Sequence, residues 1–271
     1  MEHMSQSQIA RLDSRAVIAV TGPDAVSFLN GLLTQTVEPG ELRFAGLLTP
    51  QGRLLHDLFV TATGETVLLD VAAEHRDTIL ARLTMYKLRA KVELKASDLK
   101  VYALFGFEPD AAGGCPADPR LPALGWRAYG DSPDATASED DYDAYRLALG
   151  VPGPADWGTD RTYPIEANFD LLNGIDFKKG CFVGQETTSR MKRRGTIKTR
   201  MLPIAFDGPP PAFGTEVLAG ELRAGEVLSG RDGRAMALLR LDRIEGADLT
   251  VEGRPVTVDR PSWVPLTAPA A

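Results

Sequence analysis

The chain is poor in the residues that build permanent metal sites and covalent frameworks. Its 271 residues include two cysteines, Cys115 and Cys181, and three histidines, His3, His56 and His75. Two cysteines make no disulfide scaffold, and they fall short of the four thiolates that usually hold an iron–sulfur cluster. The histidines are scattered and match no zinc spacing. No resident metal is therefore expected. Long apolar runs are missing too: no stretch approaches the ~20 apolar residues that span a bilayer, so no membrane partner is expected. The opening segment MEHMSQSQIARLD has no apolar core for a secretory leader, and it is too acidic and arginine-poor for an organelle presequence. On these signals a cytoplasmic protein is expected.

What remains is ordinary for a globular chain. Apolar residues make up 44% and charged residues 25%. The length suits two or three domains of ~100 residues each. A net charge of −7 argues against general nucleic-acid binding. The charge is uneven, however. Lys178 to Arg200 holds eight basic residues and one acid, Glu186. This basic island points to a local anionic partner or to a solvated helix face paired with acids elsewhere.

The segment TGPDAVSFLNGLLTQTV has the signals of a helix, with Thr21 or Gly22 as cap and Pro23 in the first turn. FAGLLTPQGRLLHDLFVTATGETVLLDV reads as strands with turns at Pro50-Gln51-Gly52 and Thr63-Gly64-Glu65. A second helix is predicted from about Glu74 to Leu88, followed by a strand in AKVELKA. Residues 106 to 143 are dense in Pro, Gly, Ala and Asp and read as loop with short edge strands. TYPIEANFDLLNGIDF suggests a short helix stopped at Asn173-Gly174. From about Met201 the short apolar runs, frequent glycines and the Asp232-Gly233 hairpin signal suggest a small β-barrel or sandwich.

Cys181 is the sharpest candidate for chemistry. Lys178, Lys179 and Arg190 would favour its thiolate, and a helix opening at Gly180-Cys181 would add to that. A nucleophile, a redox sensor, a transient metal ligand and a small buried residue in a glycine turn all remain open. Gln185 and Glu186 could bond a heterocycle or simply begin a helix. Asp57, in an apolar strand, is costly to bury unless paired. It could hold the NH groups of a planar ring, or pair with an arginine such as Arg53. Glu166 invites the same two readings. Tyr86, Lys87 and Arg89 end a helix, where cations suit the dipole.

Lys179-Gly-Cys-Phe-Val-Gly-Gln-Glu186, followed by Arg190 and Arg194-Gly195, resembles the signature of the YgfZ family of folate-binding proteins. GPDAVSFLNGLLTQTV, LLTPQGRLLHDLFV, MYKLRAKV and RLALGVPG with YPIEANFDLLNGIDFKKGCFVGQE are similar to other blocks of that family. The family is related in fold to the glycine-cleavage T-protein. The resemblance implies an α+β, three-domain, T-protein-like fold around a central cavity. A discontinuous first domain would take 1–45 and 144–200, an inserted domain 46–143, and a barrel 201–271. It implies a tetrahydrofolate-binding accessory protein that supports assembly or repair of iron–sulfur clusters in client enzymes, tRNA-modifying ones among them. Cys181 would be the functional thiol, in transient contact with a cluster. Asp57, Glu166, Asn168, Lys179, Gln185, Arg190 and Arg194 would contact the folate, with the cations at its anionic tail. Iron–sulfur clients or cluster carriers would be partners of a monomer, with tRNA as another partner to weigh. A folate-dependent one-carbon transferase and a tRNA-binding module are the competing readings. The T-protein carries a glutamate where Ala148 stands here, and alanine can neither bind a pteridine NH nor assist proton transfer. Aminomethyl transfer is therefore not expected.

Overall fold

Apolar strands, most of them buried on both faces, build much of the first half of the chain. The computed structural model describes residues 7–106, 114–130, 134–195 and 197–265, and the side chain of Arg194 lies outside the described set. In chain order the first elements are β1 (Gln8–Arg11), β2 (Arg15–Thr21), α1 (Ala25–Asn30), β3 (Leu42–Leu48), β4 (Leu54–Thr63), β5 (Thr66–Ala72), α2 (Arg76–Lys87), β6 (Glu93–Ser97), β7 (Val101–Phe105) and β8 (Trp126–Tyr129). Then come α3 (Glu139–Ala148), α4 (Pro154–Trp157), α5 (Gln185–Arg194), β9 (Thr199–Ala205), β10 (Glu216–Ala219), β11 (Leu222–Arg231), β12 (Arg234–Arg240), α6 (Leu241–Ile244), β13 (Leu249–Val251) and β14 (Arg254–Val258).

The chain packs into two compact units, both discontinuous. The first takes the residues up to Leu48 with His56–Asp143 and Leu172–Val183. The second takes Thr49–Leu55, Ala144–Leu171 and the chain from Gly184 on.

In the first unit a five-stranded sheet runs in the order β3-β4-β5-β2-β6, and a three-stranded sheet in the order β1-β7-β8. Ile79 and Leu83 of α2, four apart on one face, bury against Ile18, Val60, Leu69 and Val71 of the large sheet. β4 and β5 form the expected hairpin, with Thr63 opposite Thr66 and Gly64 at φ 60° in the turn. The N-terminal helix is shorter than its sequence suggests, since α1 stops at Asn30. Beyond Gly31 the amide of Thr34 bonds to the carbonyl of Gly46 and Leu33 bridges to Leu47. Pairing to β3 thus wins over helix propensity.

The second unit contains a closed barrel, β10-β11-β12-β9-β14-β13. Val217, Val227, Ala235, Ala237, Leu239 and Val251 fill its buried core. Asp232-Gly233 makes the two-residue turn between β11 and β12, with Arg231 opposite Arg234 and Gly233 at φ 77°. The helix expected in TYPIEANFDLLNG is absent, and consecutive turns replace it. Asn168 sits at φ 62° and is fully buried. Its amide donates to the carbonyl of Met201 at 2.7 Å and its oxygen accepts from Arg200 at 2.9 Å. Those bonds to β9 hold a left-handed residue that an α-helix cannot contain.

Candidate functional site

Cys181 stands on a loop that side-chain bonds strap to residues 31–37 within the first unit. Thr34 Oγ1 donates to the carbonyl of Gly174 at 2.5 Å, and Gln35 Nε2 to that of Asn173 at 2.8 Å. Thr36 Oγ1 donates to Asp176 Oδ2 at 2.6 Å. The other carboxylate oxygen of Asp176 accepts the amides of Lys178 and Lys179 at 2.8 and 3.1 Å, an Asx-type turn just before the glycine. Burial would raise the Asp176 carboxyl, but the Thr36 hydroxyl and these two amides outweigh it and hold it below the usual aspartate range.

Lys179 completes the strap. Its Nζ donates to the carbonyls of Leu33 and Gln35 at 2.8 and 2.9 Å. Burial pulls this ammonium down to about 8, against an opposing pull from Asp176. The lysine expected to attend the thiol or a ligand therefore has its charge committed to backbone carbonyls. Phe182 is buried beside it, with the ammonium 5.4 Å from the ring centre. Between these two anchors Cys181 is exposed. This removes the reading of a buried small residue. It also corrects the expected helix start: α5 opens at Gln185, after Gly184 at φ 83°, and not at Gly180-Cys181.

The other expected ligands fall in both units. Asp57 belongs to the first unit, and Glu166, Asn168, Gln185 and Arg190 to the second. Glu166 caps the turn at Tyr163, accepting its amide at 3.0 Å, and also accepts from Thr199 Oγ1 at 2.5 Å. Gln185 begins α5 half-buried, and Arg190 is exposed on it. The side chain of Arg194 lies outside the described residues.

Asp57 is the entry to a buried charge network that the sequence reading missed. Its Oδ2 accepts from Arg15 Nη1 at 2.9 Å, and the partner is Arg15 rather than Arg53. Arg53 instead donates to the carbonyl of Arg161 and lies 4.7 Å from the Tyr163 ring centre. Arg15 Nε donates to Asp70 Oδ1 at 2.6 Å, and Arg127 Nη2 to Asp70 Oδ2 at 2.6 Å. Arg120 Nη2 pairs with Asp118 Oδ2 at 2.7 Å. Three carboxylates thus balance three guanidiniums. Phe59 lies among them, with Arg127 3.8 Å from its ring centre. Burial pushes Asp70 upward, but Arg127 and Arg15 overcome it and keep the carboxylate charged. A signal existed: Asp70 and Arg127 each interrupt an apolar strand, and Arg15 begins one.

His56 points to the opposite side of β4 from Asp57. Its ring lies 5.0 Å from that of His75, and its buried Nδ1 has no hydrogen-bond partner among the described residues. Burial, helped by His75, lowers its pKa to about 4.

Residues 198–266 match the C-terminal β-barrel domain of CAF17. Over 306 aligned residues the chain is 32% identical to the mitochondrial iron–sulfur cluster assembly factor IBA57 of Mus musculus, covering 95% of this chain and 86% of the mouse protein. The chain belongs to the IBA57 family. The mitochondrial IBA57 of Homo sapiens is 31% identical over 278 residues, with 87% of this chain and 78% of the human protein covered. The crystal structure of the glycine cleavage system aminomethyltransferase T from Bartonella henselae is similar at a TM-score of 0.76, over 98% of this chain and 89% of that one. At 19% identity that likeness shows the fold alone. It bears out the expected α+β, T-protein-like class, as the closed barrel does. The cytoplasmic expectation is overturned, because the IBA57 relatives of mouse and human are mitochondrial by name. The composition of an opening segment was too weak a signal to fix a compartment. Among the described residues, no helix is long and apolar enough to cross a membrane.

Proposed function

We propose that this IBA57-family protein serves iron–sulfur cluster assembly through Cys181, which contacts the cluster as cargo shared with a second protein. The observation that carries this reading is the exposed thiol on a loop strapped at Asp176 and Lys179. A site built this way presents one ligand in a fixed place. A cluster usually needs four, and no three His, Cys, Asp or Glu side chains group to hold a metal among the described residues. A protein partner must therefore supply the remaining thiolates. In the handover one iron–thiolate bond forms as another breaks, the released thiolate takes up the proton that Cys181 gives up, and no electron moves.

The test is anaerobic transfer. A carrier loaded with a cluster is mixed with the protein, and the visible absorption and circular dichroism of the cluster are followed with an apo-acceptor present. Transfer that falls about tenfold or more in Cys181→Ser, with the melting temperature unchanged, supports the reading. Equal transfer by the variant removes the thiol from it.

Folate and tRNA-modifying clients are finer parts of the same proposal. The expected pteridine contacts do not fit as they stand. Asp57 is tied to Arg15, both carboxylate oxygens of Glu166 are engaged locally, and Asn168 is spent on Met201 and Arg200. Calorimetric titration with tetrahydrofolate checks this, and saturable binding that Asp57→Ala abolishes would reopen the assignment.

A further inference from the structure

The end of α2 carries two costs that the chain itself does not recover. Leu88 follows the last residue of the helix at φ 39°, ψ −100°. That position normally takes glycine, because a Cβ is strained there. Leu88 is also 89% exposed, and Met85, one turn earlier, is 70% exposed. They are the two most exposed large apolar side chains among the described residues. Strain in a non-glycine residue persists where function holds it, and an exposed leucine contributes nothing to the core. Helix packing does not require either residue, since α2 buries Ile79 and Leu83 instead.

The surroundings are cationic. Lys87, Arg89 and Lys91 flank Leu88 in sequence; none of them forms a close ion pair among the described residues, although Lys87 is near enough to Glu93 to help lower its pKa. Glu93, the next acid along the chain, is paired with Lys95 at 2.8 Å. Asp24 is engaged by the backbone amide of Lys91 at 2.7 Å.

We propose that Met85 and Leu88, with Lys87, Arg89 and Lys91 beside them in sequence, form a docking knob for a partner protein that offers an apolar socket edged with carboxylates. Charge complementarity selects an acidic partner, and the two apolar side chains supply the anchor. A lipid surface fits less well. The apolar stripe of α2 is already buried in the unit, so the helix has no second face to lay into a bilayer. The proposal does not depend on Cys181.

The probe is a fluorescent peptide carrying two leucines among aspartates, followed by anisotropy. Two control peptides replace the leucines with serine or the aspartates with lysine. Saturable binding of the first alone is expected, weakened by salt and about fivefold or more by Met85→Ser and by Leu88→Gly. Leu88→Gly is also expected to hold or raise the melting temperature, because glycine accepts the backbone geometry. Cys181→Ser is expected to bind normally, which separates this result from the fate of the cluster reading. Absence of saturable binding, binding indifferent to Met85 and Leu88, or a lower melting temperature in Leu88→Gly overturns the proposal. So does a preference for phosphatidylserine vesicles over the peptide, since that assigns the knob to a membrane.

Discussion

Arg127 Nη2 donates to Asp70 Oδ2 at 2.6 Å, with both side chains almost wholly removed from solvent. Asp70 also accepts from Arg15, so each arginine holds one oxygen of the same carboxylate. Removing one partner of a buried pair leaves the other charged and unpaired. Arg127→Met is expected to cost about 3–5 kcal/mol, read as a lower midpoint in urea denaturation. Asp70→Asn is expected to cost a comparable amount, because two guanidiniums lose their shared anion. A loss below about 1 kcal/mol in both would mean that the network is of the replaceable kind.

The Asp176 strap makes a local prediction. Thr36→Val removes the 2.6 Å bond to Asp176 but keeps the side-chain volume. The expected cost is about 1.5–3 kcal/mol, typical of a hydrogen bond to a charged acceptor. Hydrogen exchange should quicken at the amides of Lys178 and Lys179, which share the same carboxylate. Barrel amides should keep their protection. Loss of protection everywhere would show that the strap is global rather than local.

His56 gives stability a pH dependence. Its folded pKa is lowered to about 4 from the ordinary 6.5 by burial and His75. Between those values the unfolded chain binds the proton more readily than the folded one. The folded state therefore loses stability as pH falls from about 6.5 to 4, and below that the penalty is constant. The slope should amount to on the order of 1–2 kcal/mol across the window. In His56→Gln the midpoint of urea unfolding should be flatter over that range. An unchanged slope would assign it to carboxylates.

Gly125 meets both conditions for an irreplaceable glycine. It sits at φ 83°, and an added Cβ would lie 2.1 Å from the carbonyl oxygen of Leu104. Gly125→Ala should cost at least about 2 kcal/mol. Gly64 also has positive φ but faces open space. Gly64→Ala should cost about 1 kcal/mol, the conformational part alone. Paired denaturation curves separate steric from conformational cost.

The comparison of sequence with structure turns on range. Turns and hairpins encoded by neighbouring residues were legible, as Asp232-Gly233 and Gly64-Glu65 show. The overlong α1 and the missing helix at Tyr163–Gly174 failed because distant strands claimed those segments. The prominence of Cys181 was legible in its motif, but the reason it is presented was not. Lys179 reads as a cation beside a thiol, yet its ammonium is folded inward onto Leu33 and Gln35. Asp57 was correctly read as needing a partner. Its partner lies 42 positions away in another strand, and composition cannot choose one arginine over another.

The strap beneath Cys181 joins Thr36 to a residue 140 positions later. A ribosome delivers the chain in order, so the Thr36 side of this bond waits, incomplete, while just over half the protein is made. Closing so long a loop is entropically expensive, and contacts of such separation form late. The exposed posture of the thiol is therefore expected to be reached late in folding. A nascent or partly unfolded copy would carry the same cysteine without the same presentation. In the role proposed for Cys181, readiness to meet a cluster is in this way tied to the completeness of the molecule.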